Sequence, residues 1–171
     1  FQNSNDNYAN WYIQNIDAIR DAGGNVGEIG IEYYPESASG IGTGNTQHSA
    51  ARIESVLQSL AAQGLPVQLD EFGVGAGGST ATVNQILSDT MTLMFGNPNA
   101  TGFVMWGDET ASSGDLYKPA AALYNVVNGV WTLTSAGQVY QALLGPNGNP
   151  GGWNTNVNIT TDSPGTINFN G

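Results

Sequence analysis

Hydrophobic positions alternate along the chain between the spacing of helices and the spacing of strands. Apolar residues recur at helical spacing over residues 8–22, and Gly23 and Gly24 then provide a helix stop. The next apolar run, IGIEYY at residues 29–34, is short and ends before Pro35. Such a run is typical of a buried strand. A helix followed by a strand is therefore the first predicted unit.

Two further helix and strand pairs follow the first. Helical periodicity covers residues 46–63 and is followed by GLPVQLDEFGV at residues 64–74. Ser79 or Thr80 is the predicted cap of a third helix, and the run TGFVMW at residues 101–106 is the next strand. The third helix has an apolar stripe of Val83, Ile86, Leu87, Met91 and Met94. Shorter helices are predicted at residues 119–127 and 135–144.

Regular alternation of strands and helices predicts an α/β protein with parallel strands at about 29–34, 67–72 and 101–106. Parallel neighbours need a crossover of a dozen or more residues, and the predicted helices provide crossovers of that length. After residue 145 the composition changes to Asn, Gly and Thr with a loose alternation, which predicts β-strands or a linker. We therefore predict one domain over residues 1–145 and a separate tail over residues 146–171.

Charge and composition limit the chemistry. Acidic residues outnumber basic ones 14 to 3, so a net charge of −11 disfavours nucleic acid and anionic membranes as partners. The chain has no Cys and a single His, His48, so we expect neither a thiolate or histidine metal site nor a cofactor. Only 10% of residues are charged, and this composition predicts an extracellular, secreted protein whose export signal lies upstream of Phe1.

Candidate site residues lie at the ends of the predicted strands. Glu71 ends the second strand, where α/β barrels keep their catalytic groups. Glu32 and Tyr34 end the first strand, and Glu32 has three open roles: substrate ligand, second carboxylate or hydrogen-bond anchor. Strand alternation places Tyr34 and its neighbour Tyr33 on opposite faces of the sheet. Trp106 ends the third strand, as either a core residue or a platform for a sugar ring.

Other large apolar residues are predicted to belong to the core. Trp11 and Trp131, together with Met91 and Met94, have helical spacing to other apolar residues. Residues at such spacing pack inward more often than they bind a ligand. We therefore predict that these four side chains are buried.

Three segments together resemble the second half of a family 10 glycoside hydrolase, the xylanase type. YANWYIQNIDAIRDAGGNVGEIGIEYY is similar to the helix that leads into the sixth barrel strand, and LPVQLDEFGV to the seventh strand. GFVMWGDET, with YKPAAALY downstream, resembles the eighth strand and the opening of the final helix. The resemblance implies a partial TIM (β/α)8 barrel with a possible β-rich tail.

The resemblance also implies roles for individual residues. Glu71 matches the nucleophile, and Trp106 matches the aromatic wall beside the sugar at the cleavage point. Glu32 stands where the family usually has Gln, and Tyr34 where it usually has the His that contacts the nucleophile. The family's acid/base is a Glu after the fourth strand, so the resemblance implies that this group lies outside the chain.

The implied activity is retaining hydrolysis of a β-1,4-linked plant polysaccharide, with xylan as the expected substrate. Retaining glycosidases use two carboxyl groups about 5–5.5 Å apart. The implied partners are the polysaccharide and a missing barrel half or partner chain. Two alternatives stay open: a barrel-derived protein that binds carbohydrate or is structural without catalysis, and a glycosidase of the same clan that acts on another β-glycan.

Overall fold

A computed structural model describes residues 7–35, 49–74, 79–106, 121–144, 158–163 and 166–170. The first six elements alternate as predicted: α1 (Asn7–Asp21), β1 (Ile29–Tyr33), α2 (Ala50–Ala61), β2 (Val67–Phe72), α3 (Thr80–Gly96) and β3 (Ala100–Met105). They are followed by β4 (Tyr124–Val127), β5 (Val130–Leu133), α4 (Ser135–Leu144), β6 (Asn158–Ser163) and β7 (Thr166–Asn170). The three strands predicted from the hydrophobic pattern are confirmed.

The first three strands form a parallel sheet in the order β1-β2-β3. The fold is therefore α/β, with the parallel strands and helical crossovers that were predicted. Local signals set the helix starts: the side chain of Ser49 accepts a hydrogen bond from the Arg52 amide, and that of Ser79 accepts one from the Thr82 amide. Ser79 thereby satisfies an amide at a helix N-terminus, and the Arg52 amide bonds to both the side chain and the carbonyl of Ser49.

The core lies between the helices and one face of the sheet. Phe72 in β2 is fully buried, and its ring contacts Tyr33 at 5.8 Å and Phe103 at 5.2 Å between centroids. The helices contribute a buried set of Ile16, Ile53, Val56, Leu57, Leu60, Val83, Ile86, Leu87, Met91 and Met94. Burial of each large aliphatic side chain contributes about 1.5–3 kcal/mol relative to exposure. The predicted burial of Met91 and Met94 is confirmed.

The helix predicted at residues 119–127 is wrong in its described part. Strands β4 and β5 pair there as an antiparallel hairpin, joined by Asn128 and Gly129 with φ of 52° and 76°. Two consecutive residues with positive φ make a tight hairpin turn, for which Asn-Gly is the preferred pair. The preference of Asn-Gly for this turn, together with the β-branched valines beside it, therefore outweighs the helical spacing of the apolar residues at 119–127. The helix predicted at 135–144 is confirmed as α4.

Two tryptophans predicted for the core are exposed instead. Trp11 on α1 is 61% exposed and Trp131 on β5 is 56% exposed. Among residues 9–21 of α1, whose burial the structure describes, Ile16 alone is buried and Ile19 is 49% exposed, so this part of the predicted apolar stripe is only partly covered. Trp131 lies in a two-stranded hairpin rather than in a helix, and so helical spacing has no bearing on its environment.

Strands β6 and β7 form an antiparallel hairpin, in line with the β character predicted for the tail. The proposed boundary between residues 145 and 146 stays a prediction. None of the helices in the described ranges is long and apolar enough to cross a membrane.

Candidate functional site

The carboxyl ends of the three parallel strands bring the predicted site residues to one edge of the sheet. Glu32 and Tyr34 stand at the end of β1, Glu71 at the end of β2 and Trp106 directly after β3. Because β2 is the central strand, Glu71 has a site residue on each side. The parallel topology thus gathers residues from three distant parts of the sequence.

A β-bulge in the central strand changes the direction of Glu71. Ile31 pairs with Leu69 and Glu32 pairs with Glu71, so Asp70 is an extra residue in the register. Leu69 and Phe72 are both buried toward the helices, whereas Asp70 is exposed and Glu71 is half-buried. Two successive carboxylates therefore lie away from the helix-covered face. Bulges commonly re-aim a side chain in this way beside active sites.

Glu71 is held by a hydrogen bond from Tyr34. The Tyr34 hydroxyl donates to Oε2 of Glu71 at 2.5 Å, and both side chains are half-buried. Hydroxyl groups that donate to a carboxylate typically do so at about 2.5–2.7 Å and more strongly than neutral pairs. The bond fixes one oxygen of Glu71. The other carboxylate oxygen of Glu71, Oε1, takes no part in this bond.

The neighbouring Tyr33 has a different environment. Its side chain is fully buried toward the helices, so the predicted division of the two tyrosines between opposite faces is correct. Burial, and secondarily the charge of Asp89, raises the pKa of Tyr33 above its ordinary value of 10.0. Tyr33 is thus a core residue, and Tyr34 is the member of the pair that reaches Glu71.

Trp106 lies beside the end of the central strand. Its backbone amide donates to the Phe72 carbonyl at 2.8 Å, which fixes its position next to the residue that follows Glu71. Its side chain is 50% exposed. The side chain is therefore not packed in the core of the described chain, and its role as a platform for a sugar ring stays a prediction.

Two further polar residues lie on the open face of the sheet. Gln68 pairs with Gly30 on one side and Gly102 on the other, and a Cβ on Gly102 would lie 3.1 Å from Cδ of Gln68. The Asp70 carboxylate lies over Gly30, in the space that a Cβ there would fill. The hydrophobic pattern of the sequence does not mark Gln68 as a site residue. The sequence signal for Gln68 was the presence of Gly30 and Gly102 in the neighbouring strands, because a glycine inside a strand often marks the close approach of another group.

Two cavities of the described chain lie beside its helices. One of about 430 Å³ lies between α1, β1 and α2 and reaches Glu32; Tyr12 closes part of it by donating to the Gly30 carbonyl at 2.9 Å. Another of about 460 Å³ lies between α2 and α3, near Asn97 and Asn99 at the amino end of the sheet. Among the described residues, no group of three or more His, Cys, Asp or Glu is arranged to hold a metal ion.

Comparison by sequence identifies no relative: no family model matches the chain, and no curated protein matches it significantly. Solved structures do match the fold. Xylanase 10B from Thermotoga maritima is similar over 78% of this chain and 41% of its own, with a TM-score of 0.60 and 16% identity. A GH128 endo-β-1,3-glucanase from Amycolatopsis mediterranei is similar over 77% of this chain and 51% of its own, with a TM-score of 0.55 and 18% identity.

A GH10 endoxylanase from a sugarcane soil metagenome gives a third match, with a TM-score of 0.55 and 14% identity. The chain spans 43% of that protein, so it corresponds to about half or less of each of these three neighbours. Identities this low bear on the fold alone. The expected resemblance to the xylanase barrel is confirmed at that level: this chain has the fold of part of a TIM (β/α)8 barrel, similar to the barrels of these xylanases.

Proposed function

We propose that this chain supplies the nucleophile of a retaining glycoside hydrolase that cleaves a β-1,4-linked plant polysaccharide, with xylan as the first substrate to test. The single observation that carries the proposal is the Tyr34–Glu71 hydrogen bond at the carboxyl edge of a parallel sheet. Catalytic groups of α/β barrels occupy this edge. The protein would act outside the cell, in keeping with a composition in which only 10% of residues are charged.

In the proposed reaction, Oε1 of Glu71 attacks the anomeric carbon while Tyr34 holds Oε2. The glycosidic bond breaks, the leaving oxygen takes a proton from an acid/base carboxyl group, and a glycosyl ester forms on Glu71. Water, activated by the same acid/base group, then hydrolyses the ester and releases the sugar with its original anomeric configuration. The acid/base group is proposed to come from the remainder of the barrel or from a partner chain.

Neighbouring residues on the open face would bind the sugar beside the cleaved bond. Trp106 offers an aromatic surface for a pyranose ring, because apolar C–H groups pack against aromatic faces. Glu32 is the register partner of Glu71 and has a side chain exposed enough to accept hydrogen bonds from sugar hydroxyls. Asp70 and Gln68 add further polar groups on the same face.

A second candidate function is hydrolysis of a β-1,3-glucan by the same residues. The structural similarity to an endo-β-1,3-glucanase favours it, since that neighbour matches almost as much of this chain as the xylanases do. The linkage depends on residues that surround the site on other strands. A substrate comparison therefore has to accompany the test of Glu71.

The test uses the intact protein that contains this chain, with Glu71→Ala and Glu71→Gln variants. We expect hydrolysis of xylan, or of laminarin if the second candidate holds, to fall by about a thousandfold or more. Added azide should restore turnover of an activated aryl glycoside by Glu71→Ala, with release of a glycosyl azide of inverted configuration.

Glu54→Gln is the matched control, because Glu54 is an exposed glutamate on α2 that contacts Gln58. Its activity should equal that of the unmodified protein. Full hydrolysis by the Glu71 variants would rule out the proposed nucleophile, and turnover of neither polysaccharide by the intact protein would rule out the activity.

A further inference from the structure

The β4–β5 hairpin carries an exposed aromatic pair outside the candidate site. Tyr124 is 37% exposed and Trp131 56% exposed, and their ring centroids lie 5.7 Å apart with an angle of 71° between the planes. The two rings form a corner in which the edge of one meets the face of the other, a favourable aromatic geometry. Val127 and Val130 beside the turn are also exposed.

Charge sets this region apart from the rest of the molecule. Residues 119–161 contain no Asp, Glu, Lys, Arg or His, although the chain as a whole has a net charge of −11. The polar groups of the hairpin are the amides and hydroxyls of Asn125, Asn128, Thr132 and Tyr124. Such a surface matches a partner that is neutral and rich in hydroxyl groups.

Hydrogen bonds hold the hairpin in a defined conformation. The Thr132 hydroxyl donates to the Asn125 carbonyl at 3.2 Å, and the Thr134 hydroxyl donates to the Ala122 carbonyl at 2.5 Å. The Gly137 amide in turn donates to the Thr134 hydroxyl at 2.9 Å, which ties the hairpin to the first turn of α4. A surface held in place before binding loses less entropy when it binds a ligand.

Connectivity places the hairpin at the same end of the domain as Glu71. Helix α3 follows the carboxyl end of β2, and Asn84 in its second turn donates a hydrogen bond from its side chain to Ser135. Ser135 begins α4 directly after β5. The base of the hairpin therefore lies toward the carboxyl edge of the sheet.

From these observations we infer that the Tyr124–Trp131 corner is a second glycan-binding surface, which holds a neutral polysaccharide chain at a distance from the cleaved bond. The choice of ligand rests on the proposed function. Aromatic rings bind the apolar C–H faces of pyranose rings, and the Tyr124 hydroxyl on the same face of the hairpin can exchange hydrogen bonds with sugar hydroxyls. A second copy of this chain is the less favourable occupant, because association would bring together two molecules that each have a net charge of −11.

Two exposed aromatic residues outside the hairpin and the candidate site provide contrasts. Phe95 is 53% exposed at the C-terminal end of α3, which lies at the amino end of the sheet. Trp11 is exposed on α1 and lines the cavity that reaches Glu32. Phe95 is therefore the better control for nonspecific binding, since it is similarly exposed at the opposite end of the domain.

The test measures retardation of the intact protein in native gels that contain neutral arabinoxylan or laminarin, in a Glu71→Gln background that prevents degradation of the polymer. Trp131→Ala should weaken binding by about tenfold, as for truncation of a tryptophan at the centre of a binding surface. Tyr124→Ala should weaken it less, Trp131→Phe should retain part of it, and Phe95→Ala should leave it unchanged. Trp131→Phe keeps the test valid if the alanine variant does not fold.

The outcomes separate this inference from the proposed catalysis. If Glu71 proves not to be the nucleophile but retardation still depends on Trp131, the second surface stands and the catalytic proposal fails. The inference would be overturned if the Trp131 variants were retarded as strongly as the protein that keeps Trp131. It would also be overturned if neither polymer retarded the intact protein. Sedimentation that shows a concentration-dependent dimer abolished by Trp131→Ala would overturn it in favour of a second copy.

Discussion

The two faces of the parallel sheet use the same strands for different purposes. On the helix-covered face, Ile29, Ile31, Tyr33, Val67, Leu69 and Phe72 are all buried and form the centre of the core. On the open face, the strands carry Gly30, Glu32, Tyr34, Gln68, Asp70, Glu71, Val104 and Trp106, of which none is buried. One face therefore holds the fold together, and the other carries the candidate chemistry.

The boundary between the two roles follows the alternation of side chains, except at the bulge. Tyr33 and Tyr34 are adjacent in sequence, yet one is in the core and the other binds Glu71. Asp70 and Glu71 break the alternation because the extra residue lets both point away from the helices. Substitutions on the two faces should thus separate effects on stability from effects on activity.

The largest difference is expected between Phe72 and Val104. Phe72→Ala should lower the free energy of unfolding by about 3–5 kcal/mol, because it leaves a cavity among Tyr33 and Phe103. Val104→Ala should change it by about 0.5 kcal/mol or less, since Val104 is 43% exposed on the open face. Urea denaturation of the intact protein measures both. Equal losses would mean that the open face is also part of a packed core.

A smaller effect on activity is expected from Tyr34→Phe. The variant keeps the ring and removes the donor to Glu71, so hydrolysis should fall by about ten- to a hundredfold while the urea midpoint changes little. Tyr12→Phe removes a hydroxyl that bonds to a backbone carbonyl of the same sheet and serves as the control. If both variants lost activity equally, the effect of Tyr34 would not act through Glu71.

The smallest effect concerns the stability that the protein loses at alkaline pH because of Tyr33. Its pKa is raised in the folded state, so above the ordinary value of 10.0 the unfolded chain binds fewer protons than the folded chain. Titration of Tyr33 therefore leaves the free energy of unfolding unchanged well below pH 10. The free energy of unfolding falls as the pH rises above that value, by about 1 kcal/mol between pH 10 and 11. Tyr33→Phe should lose less stability over this interval in urea titrations. Parallel curves for the two proteins would contradict the assignment.

Much of the fold follows from local patterns. The three strands, the cap at Ser79 and the helix at residues 135–144 are encoded by short runs of apolar residues, Ser caps and helix stops, which act through near neighbours. The helix predicted at residues 119–127 was wrong because Asn128 and Gly129 favour a tight hairpin, a signal that was present in the sequence. Trp11 and Trp131 were misplaced because periodicity describes spacing and does not specify what covers a face.

The sequence by itself determined the order of strands and helices, the carboxylate at the end of each of the first two strands, and the uncharged segment after residue 118. Only the tertiary structure decided that Tyr34 donates to Glu71, that Asp70 is the extra residue of a bulge, and that Gln68 lies between two glycines. Those features depend on the register between strands whose residues are more than thirty positions apart. Register is set by the packing of a whole buried face, which no local stretch of residues specifies.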